Sequence, residues 1–126
     1  GDQVLGKLES DLIGMLKGLF LAEIHVADSF FSIFQSGGGT VRHDHITLRD
    51  SDPVMPVIDL KYSLVYYLEV GDQSGSEPGY LKFYSPGDEI LPHKGLLTVF
   101  PSTRQHSSAY NGVSDRGIGG LNFYAY

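Results

Sequence analysis

The chain of 126 residues contains no cysteine and no tryptophan. The lack of cysteine excludes disulfides, cysteine-ligated zinc and a thiol nucleophile, and it fits the cytoplasmic location that we predict. Runs of Lys or Arg are also missing and the net charge is −6, so we expect neither nucleic acid nor an anionic membrane surface as the main partner. No signal peptide is evident, and Lys17 interrupts the apolar residues of 12–21, which are too few to span a bilayer.

Two kinds of catalytic motif are missing as well. No glycine-rich phosphate loop precedes a helix, and no serine lies in a nucleophile-elbow pattern. Phosphoryl transfer and serine hydrolysis are therefore unsupported. What the chain does have is 16 glycines, eight tyrosines and seven phenylalanines, with 41% hydrophobic residues. This composition indicates one globular domain, residues 1–126, made of short strands and tight turns, although the chain could be part of a longer protein.

The periodicity of the apolar residues changes once along the chain. Residues 3–21 carry apolar side chains at three- and four-residue spacing, which predicts a helix with one apolar stripe. From about residue 22 to 126 the period is two. It begins with two short segments in which apolar residues alternate with polar neighbours, Ile24 with Val26 and then Phe31 with Ile33. The pattern predicts about eight short strands, and hence an all-β sandwich or barrel on which the helix leans. The clearest segments are 40–47, 62–70, 80–84, 96–100, 106–110 and 116–126.

Two histidines, His43 and His45, stand one residue apart just after the triple glycine 37–39. If this stretch is a strand, both imidazoles point to the same face. Two converging imidazoles begin a metal site, and neutral imidazole suits iron, zinc, copper and nickel. A third ligand should come from elsewhere in the chain, and His106 is the obvious candidate. We expect His25 and His93, as single histidines, to be structural or solvated.

A series of short motifs runs along the chain after the helix. These are Arg42–His45, Ser63–Leu68, Gly79–Phe83, Pro92 with Gly95, Phe100–Ser102, His106, Arg116 and Asn122. In order and approximate spacing they resemble the Fe(II)/2-oxoglutarate-dependent dioxygenases. The resemblance covers roughly residues 22–124 and is strongest to the prolyl-hydroxylase-like branch, within it to uncharacterised members with a His-x-His first motif. It implies a double-stranded β-helix, or jelly roll, with Fe(II) and 2-oxoglutarate as cofactors.

The resemblance implies a role for each matching residue. His43 corresponds to the first iron ligand and His106 to the distal histidine. Arg116 corresponds to the residue that binds the far carboxylate of 2-oxoglutarate, a task suited to a guanidinium that can form two charge-assisted bonds. Tyr66 corresponds to a tyrosine that hydrogen-bonds the same carboxylate. A surface ion pair for Arg116 and a core position for Tyr66 are the competing interpretations.

The chain departs from the family pattern at His45, where the family usually has Asp or Glu. A site of three histidines would have one negative charge fewer, which could change the metal preference or the activity. Strand geometry directs Asp44 away, whereas Asp50 or Asp52 could reach the metal from the following loop. Ile118 replaces a serine that many members carry, which puts one hydrogen bond to the cosubstrate in doubt.

Other functional interpretations stay open. A cupin has the same barrel and also uses His-x-His, and a three-histidine cupin would need no 2-oxoglutarate. A jelly-roll binding module without chemistry is the other alternative. An oxygenase would act on a small molecule or a protein side chain, selected by the loops 47–61 and 71–79, with 49–59 as a candidate lid. An exposed barrel edge could pair with a second copy to form a homodimer.

Overall fold

In the computed structural model, one helix is followed by eight strands within the described residues, which are 2–34, 38–47, 50, 57–74 and 76–126. The helix and most of the strands lie within a few residues of their predicted positions. The elements are α1 (Asp2–Phe20), β1 (Ile24–Phe34), β2 (Gly38–His43), a 3₁₀ turn (Ile58–Leu60), β3 (Lys61–Glu69), β4 (Pro78–Phe83), β5 (Asp88–Ile90), β6 (Leu97–Pro101), β7 (His106–Tyr110) and β8 (Arg116–Ala125).

The eight strands form two four-stranded antiparallel sheets. The first has the order β1-β8-β3-β6 and the second the order β2-β7-β4-β5. This is the jelly roll that the sequence predicted. Strands β1 and β2 are edge strands of different sheets, and they follow one another in the chain.

The space between the two sheets holds one apolar core. Strand β3 contributes Val65 and Tyr67 on this inner face, while the alternate residues Leu64 and Tyr66 point to the outer face. The inner cluster consists of Val65, Tyr67, Leu81, Phe83 and Phe100. Because β3 has a neighbour on each face, its sequence is apolar almost throughout.

Helix α1 covers the outer face of the first sheet. Leu12 and Leu16 pack there against Leu64, Leu121 and Phe123. Leu16 is fully buried, and complete burial of a leucine side chain is worth about 2 kcal/mol. The helix is therefore stabilised by the sheet despite its three glycines. Within the described residues, no helix has the length and apolar character needed to cross a membrane.

Three details differ from the sequence prediction. β1 is one strand of 11 residues, whereas two shorter segments were expected. β2 ends at His43, so the predicted strand 40–47 is too long. The three-residue β5 was missed because two of its residues are acidic and all three are exposed. Of the predicted lid 49–59, residues 49 and 51–56 lie outside the described residues.

Candidate metal centre

The imidazoles of His43, His45 and His106 lie together in the interior of the jelly roll. One ring nitrogen from each lies within 4.8 Å of the other two. The ring centroids of His43 and His106 are 4.3 Å apart, and those of His45 and His106 are 4.8 Å apart. Three nitrogens at such separations surround one point, which is the arrangement needed to bind a metal ion.

Strand pairing places two of these histidines side by side. His43 is the last residue of β2, His106 is the first residue of β7, and the two are partners in the sheet register. The Nδ1 atom of His106 lies 3.0 Å from the carbonyl oxygen of Arg104. If Nδ1–H donates to this oxygen, the lone pair of Nε2 is left facing the other imidazoles, as a metal ligand requires.

His45 follows β2 and is held differently. Its backbone N–H donates to the carbonyl oxygen of Ser102 at 2.9 Å. Its Nε2 lies 3.0 Å from Nε2 of His106, and its ring is nearly parallel to that of Phe30, with an interplanar angle of 6° and centroids 6.5 Å apart. The predicted strand face is therefore not what brings His45 to the site, because the residue lies beyond the end of the strand.

The electrostatic surroundings keep the imidazoles of His45 and His106 neutral. Burial, followed by the charges that His106 and His43 would carry, lowers the pKa of His45 to about 4. Burial also lowers the pKa of His106. Neutral imidazole is the form that coordinates a metal. At neutral pH His45 and His106 therefore do not have to lose a proton before a metal binds.

No carboxylate joins the three imidazoles within the described part of the chain. Asp44 is exposed and accepts a hydrogen bond from the backbone N–H of Ile46. Asp50 is fully buried, but its carboxylate accepts hydrogen bonds from Lys61 at 2.8 Å and from Tyr124. The expectation that Asp50 could reach the metal is therefore wrong for this structure. Asp52 lies outside the described residues.

A cavity of about 200 Å³ adjoins the three imidazoles. Apart from the histidines, the described residues of its lining are aromatic, aliphatic or hydroxyl-bearing, and none of them is Asp, Glu, Lys or Arg. The contribution of β1 was not predicted, because the alternation pointed to Phe31 and Ile33 as its apolar residues, whereas the residues of the other face line the cavity. The lining residues are Phe30, Ser32, Phe34, His43, His45, Val65, Tyr67, Leu81, His106, Ser108 and Ile118.

Tyr66 does not lie in this cavity. It packs on the outer face of β3 and lines a groove beside α1, whereas its neighbour Tyr67 lines the cavity. The prediction that Tyr66 lies at the site is therefore wrong, and the tyrosine that lines the cavity is the next residue, Tyr67. Successive residues of a strand point to opposite faces of the sheet, so an error of one residue places the side chain on the wrong face. Burial raises the pKa of Tyr67 to about 12, so its hydroxyl is protonated at neutral pH.

Arg116 begins β8 and is almost completely buried, with 2% of its surface exposed. Its guanidinium donates hydrogen bonds to the carbonyl oxygens of Val70, Gly79 and Pro78, at 3.2, 2.8 and 3.1 Å. The surface ion pair considered for it is excluded. Arg116 does not line the cavity, but its guanidinium carbon lies 5.7 Å from the ring centre of Tyr67, which does.

Burial and the missing counter-charge give Arg116 an unusual environment. No described acidic residue forms an ion pair with it. Burial lowers its pKa, yet a guanidinium stays protonated at any working pH. A cation this deeply buried normally has an anionic partner.

The remaining histidines lie outside the cluster. His25 is exposed and stacks on Tyr124 with centroids 6.2 Å apart. His93 is exposed, and its Nδ1 lies 3.1 Å from the carbonyl oxygen of Lys94. Neither belongs to the metal-ligand group, as expected for single histidines.

The fold is shared with solved oxygenase structures. The viral collagen prolyl hydroxylase from Paramecium Bursaria Chlorella virus-1, in complex with 2OG, matches with a TM-score of 0.72 and 17% identity over 98% of this chain and 74% of that chain. A prolyl-4-hydroxylase from Pseudomonas putida matches with a TM-score of 0.59 and 22% identity over 98% of this chain and 65% of its own.

A cupin protein from Bacteroides fragilis also matches, with a TM-score of 0.52 and 11% identity over 79% of this chain and 67% of that chain. Against three further matched structures this chain spans 44%, 49% and 46% of their length, about half. Neither a protein-family model nor a curated protein sequence matches the chain. At these identities the likeness establishes the fold, the jelly roll that oxygenases and cupins share.

Proposed function

We propose that this protein is a non-haem Fe(II)- and 2-oxoglutarate-dependent oxygenase that hydroxylates an as yet unidentified substrate, with His43, His45 and His106 as its metal ligands. The observation that carries the proposal is the convergence of three imidazoles, with one nitrogen of each within 4.8 Å of the others, beside a cavity in the jelly roll. Two prolyl hydroxylases match this fold over 98% of the chain, which supports the same conclusion.

The three histidines fit a bound first-row metal. Metal–imidazole bonds of about 2.0–2.1 Å place neighbouring ligand nitrogens roughly 3 Å apart, and the Nε2 atoms of His45 and His106 are already 3.0 Å apart. The carbonyl of Arg104 fixes the ring of His106 from behind, which is the usual support for a metal-bound histidine. The third ligand nitrogen, that of His43, lies within 4.8 Å of the other two.

The buried guanidinium supports the second cofactor. Arg116 lies just behind Tyr67, which lines the cavity, and no described acidic group forms an ion pair with it. A dicarboxylate bound beside the histidines could place its far carboxylate near this cation, if the Tyr67 ring moves aside. The three carbonyl partners of Arg116 would then keep the guanidinium in place.

Each part of the site then has a task. Bound Fe(II) and 2-oxoglutarate supply the dioxygen chemistry that hydroxylates a C–H bond. The histidines hold the metal without adding negative charge. The aromatic and aliphatic walls contributed by Phe30, Phe34 and Val65 exclude water from the cavity. Because none of the described residues that line the cavity is Asp, Glu, Lys or Arg, we propose that the part of the substrate entering it is uncharged, whether the substrate is a small molecule or a protein side chain.

The test is binding and turnover with the intact protein. The wild type is loaded anaerobically with one equivalent of Fe(II) and titrated with 2-oxoglutarate in a calorimeter. Air is then admitted and succinate is measured with and without iron. We expect saturable binding of 2-oxoglutarate and slow, iron-dependent succinate formation. Absence of 2-oxoglutarate binding to the iron-loaded wild type would exclude the oxygenase function.

A cupin-type metal protein that does not use 2-oxoglutarate is the second candidate. It is favoured by the absence of a carboxylate from the described metal-ligand group and by the position of Arg116 behind the cavity wall. In that case iron binds to the wild type, the His106→Ala variant does not bind it, and 2-oxoglutarate has no effect on either. The same calorimetric titration therefore separates the two functions.

A further inference from the structure

The three imidazoles are not supported equally. His106 has a backbone carbonyl behind its ring, at Arg104. His43 is a strand residue paired in register with His106. His45 lies outside any strand. Among the described residues its ring contacts the other two imidazoles, His106 and, at 5.0 Å between centroids, His43, and one ring that is not a candidate ligand, Phe30. Something other than a hydrogen bond to its second ring nitrogen must therefore fix its orientation.

The ring of Phe30 has the geometry for this task. It is inclined by only 6° to the imidazole of His45, and the two centroids are 6.5 Å apart. Offset parallel stacking of this kind is a favoured arrangement of flat rings. Phe30 lies on the inner face of β1 and lines the same cavity as the histidines. The Phe30 ring therefore forms a flat wall beside the imidazole of His45, which is the one histidine of the three that lies outside a strand.

A glycine on the neighbouring strand makes room for this wall. Phe30 is paired in register with Gly120 of β8. A Cβ atom at Gly120 would lie 2.3 Å from Cζ of Phe30 and 2.6 Å from the carbonyl oxygen of Leu64. The phenyl ring therefore occupies the space that a side chain at position 120 would need, and even a methyl group there would displace it.

We propose that Phe30, seated over Gly120, is a positioning residue that holds the imidazole of His45 in the orientation in which it shares a metal ion with His43 and His106. The inference rests on the proposed metal-binding function. The proposed role of Phe30 involves neither substrate nor cosubstrate, and it depends on the shape of the side chain. A flat ring is required at position 30, and an aliphatic side chain of similar size does not replace it.

Cobalt(II) binding to the intact protein tests this claim without any turnover. The d–d absorption bands report both affinity and coordination geometry. Removal of a group that orients a metal ligand typically lowers metal affinity about 10- to 100-fold, and we expect a loss of that size for Phe30→Leu and for Gly120→Ala, with altered bands. Phe30→Tyr keeps a flat ring and should bind within about threefold of the wild type.

The matched control is Phe31→Leu, the same substitution one residue along β1. Phe31 faces the outer side of the sheet and is 48% exposed, so this variant should bind cobalt like the wild type. Wild-type affinity in Phe30→Leu, or an equal loss in Phe31→Leu, would overturn the proposal. A circular-dichroism melt of each variant identifies any that does not fold, and Phe30→Tyr against Phe30→Leu then remains the deciding pair.

Nuclear magnetic resonance of the metal-free protein separates this proposal from the proposed function. Nuclear Overhauser contacts between the Phe30 ring and the His45 imidazole should be present in the wild type. In Phe30→Leu the His45 ring signals should shift while those of His93 stay unchanged. If the wild type does not bind cobalt, the metal function fails, and these contacts still decide whether Phe30 orients His45. Their absence would refute the positioning role.

Discussion

The Nε2 atoms of His45 and His106 lie 3.0 Å apart although 61 residues separate them in the chain. His106 begins a strand of the second sheet, while His45 lies just past the edge strand of that sheet. Two neutral imidazoles at this distance share one hydrogen bond. A metal ion would replace that hydrogen bond with two coordinate bonds. Metal binding at this contact therefore depends on the fold that brings the two histidines together.

The first prediction concerns this contact directly. We expect His106→Ala to reduce Fe(II) and Co(II) binding at least 100-fold, because the variant loses both a ligand and the partner of His45. The measurement is metal content after equilibrium dialysis, with circular dichroism as the check on folding. His93→Ala, an exposed histidine outside the cluster, is the control and should retain the full metal content. Equal metal content in the two variants would remove His106 as a ligand.

Much of the fold could be predicted from the sequence because hydrophobic periodicity reports burial. The apolar stripe of α1 packs on the first sheet, and the continuous apolar run of β3 is buried between α1 on one face and the inner core on the other. β5 gave no such signal, because its three residues are exposed. The spacing of Phe31 and Ile33 was misleading, since they are 48% and 60% exposed on the outer face of β1.

The site was predictable in its residue types but not in its local geometry. The strand argument for His43 and His45 assumed pairing as far as residue 47, and pairing ends at His43. Tyr66 and Tyr67 are chemically equivalent in the sequence, and only the strand register decides which one faces inward. The three carbonyl partners of Arg116 lie 37 to 46 residues away, and spacing alone does not reveal contacts of this kind.

The second prediction concerns pH. The pKa of His45 is about 4 in the folded protein, below its ordinary 6.5, because of burial and the neighbouring imidazoles. Between these pH values the unfolded chain binds a proton that the folded protein does not, so the free energy of unfolding rises with pH across this window. We therefore expect the metal-free protein to lose stability as the pH falls from about 6.5 to about 4.

Urea unfolding at several pH values between 4 and 7 measures this effect. His45→Gln removes the titrating group and should flatten the pH dependence relative to the wild type. His25→Gln changes an exposed histidine and should leave the slope unchanged. A wild-type stability that does not change over the window would contradict the lowered pKa values of both His45 and His106.

The third prediction concerns the ion pair of Lys61 and Asp50, whose side chains are 2% and 0% exposed and 2.8 Å apart. Removing one partner leaves a buried charge unpaired, which typically costs about 3–5 kcal/mol. We expect Lys61→Met to lower the free energy of unfolding by about that amount. Lys7→Met, which breaks the exposed pair with Asp11, should cost less than about 1 kcal/mol.

The double variant Lys61→Met/Asp50→Leu tests the cause of that loss. It removes both charges and should recover part of the stability, because no uncompensated ion remains in the interior. Chemical denaturation of the wild type, Lys61→Met, Asp50→Leu and the double variant gives the comparison. A double variant that is as unstable as the sum of its single variants would show that packing, and not the unpaired charge, is responsible.

The last prediction uses the adjacent tyrosines of β3 as a matched pair. Tyr67 lines the cavity next to Arg116, whereas Tyr66 lines the groove beside α1 on the other face. Under the oxygenase proposal, Tyr67→Leu should change the affinity of the iron-loaded protein for 2-oxoglutarate by at least tenfold, because it removes the ring between the cavity and the guanidinium. Tyr66→Leu should change it less than threefold, although it also removes an aromatic ring.

Two further measurements make this comparison decisive. Cobalt titration should give wild-type affinity for both variants, since neither tyrosine belongs to the metal-ligand group. Arg116→Lys keeps a positive charge but lacks the planar fork that reaches three carbonyls, so it should lower both 2-oxoglutarate affinity and the melting temperature. An effect of Tyr66→Leu on 2-oxoglutarate as large as that of Tyr67→Leu would show that the cosubstrate does not bind on the inner face of β3, and the oxygenase site would then have to be sought elsewhere.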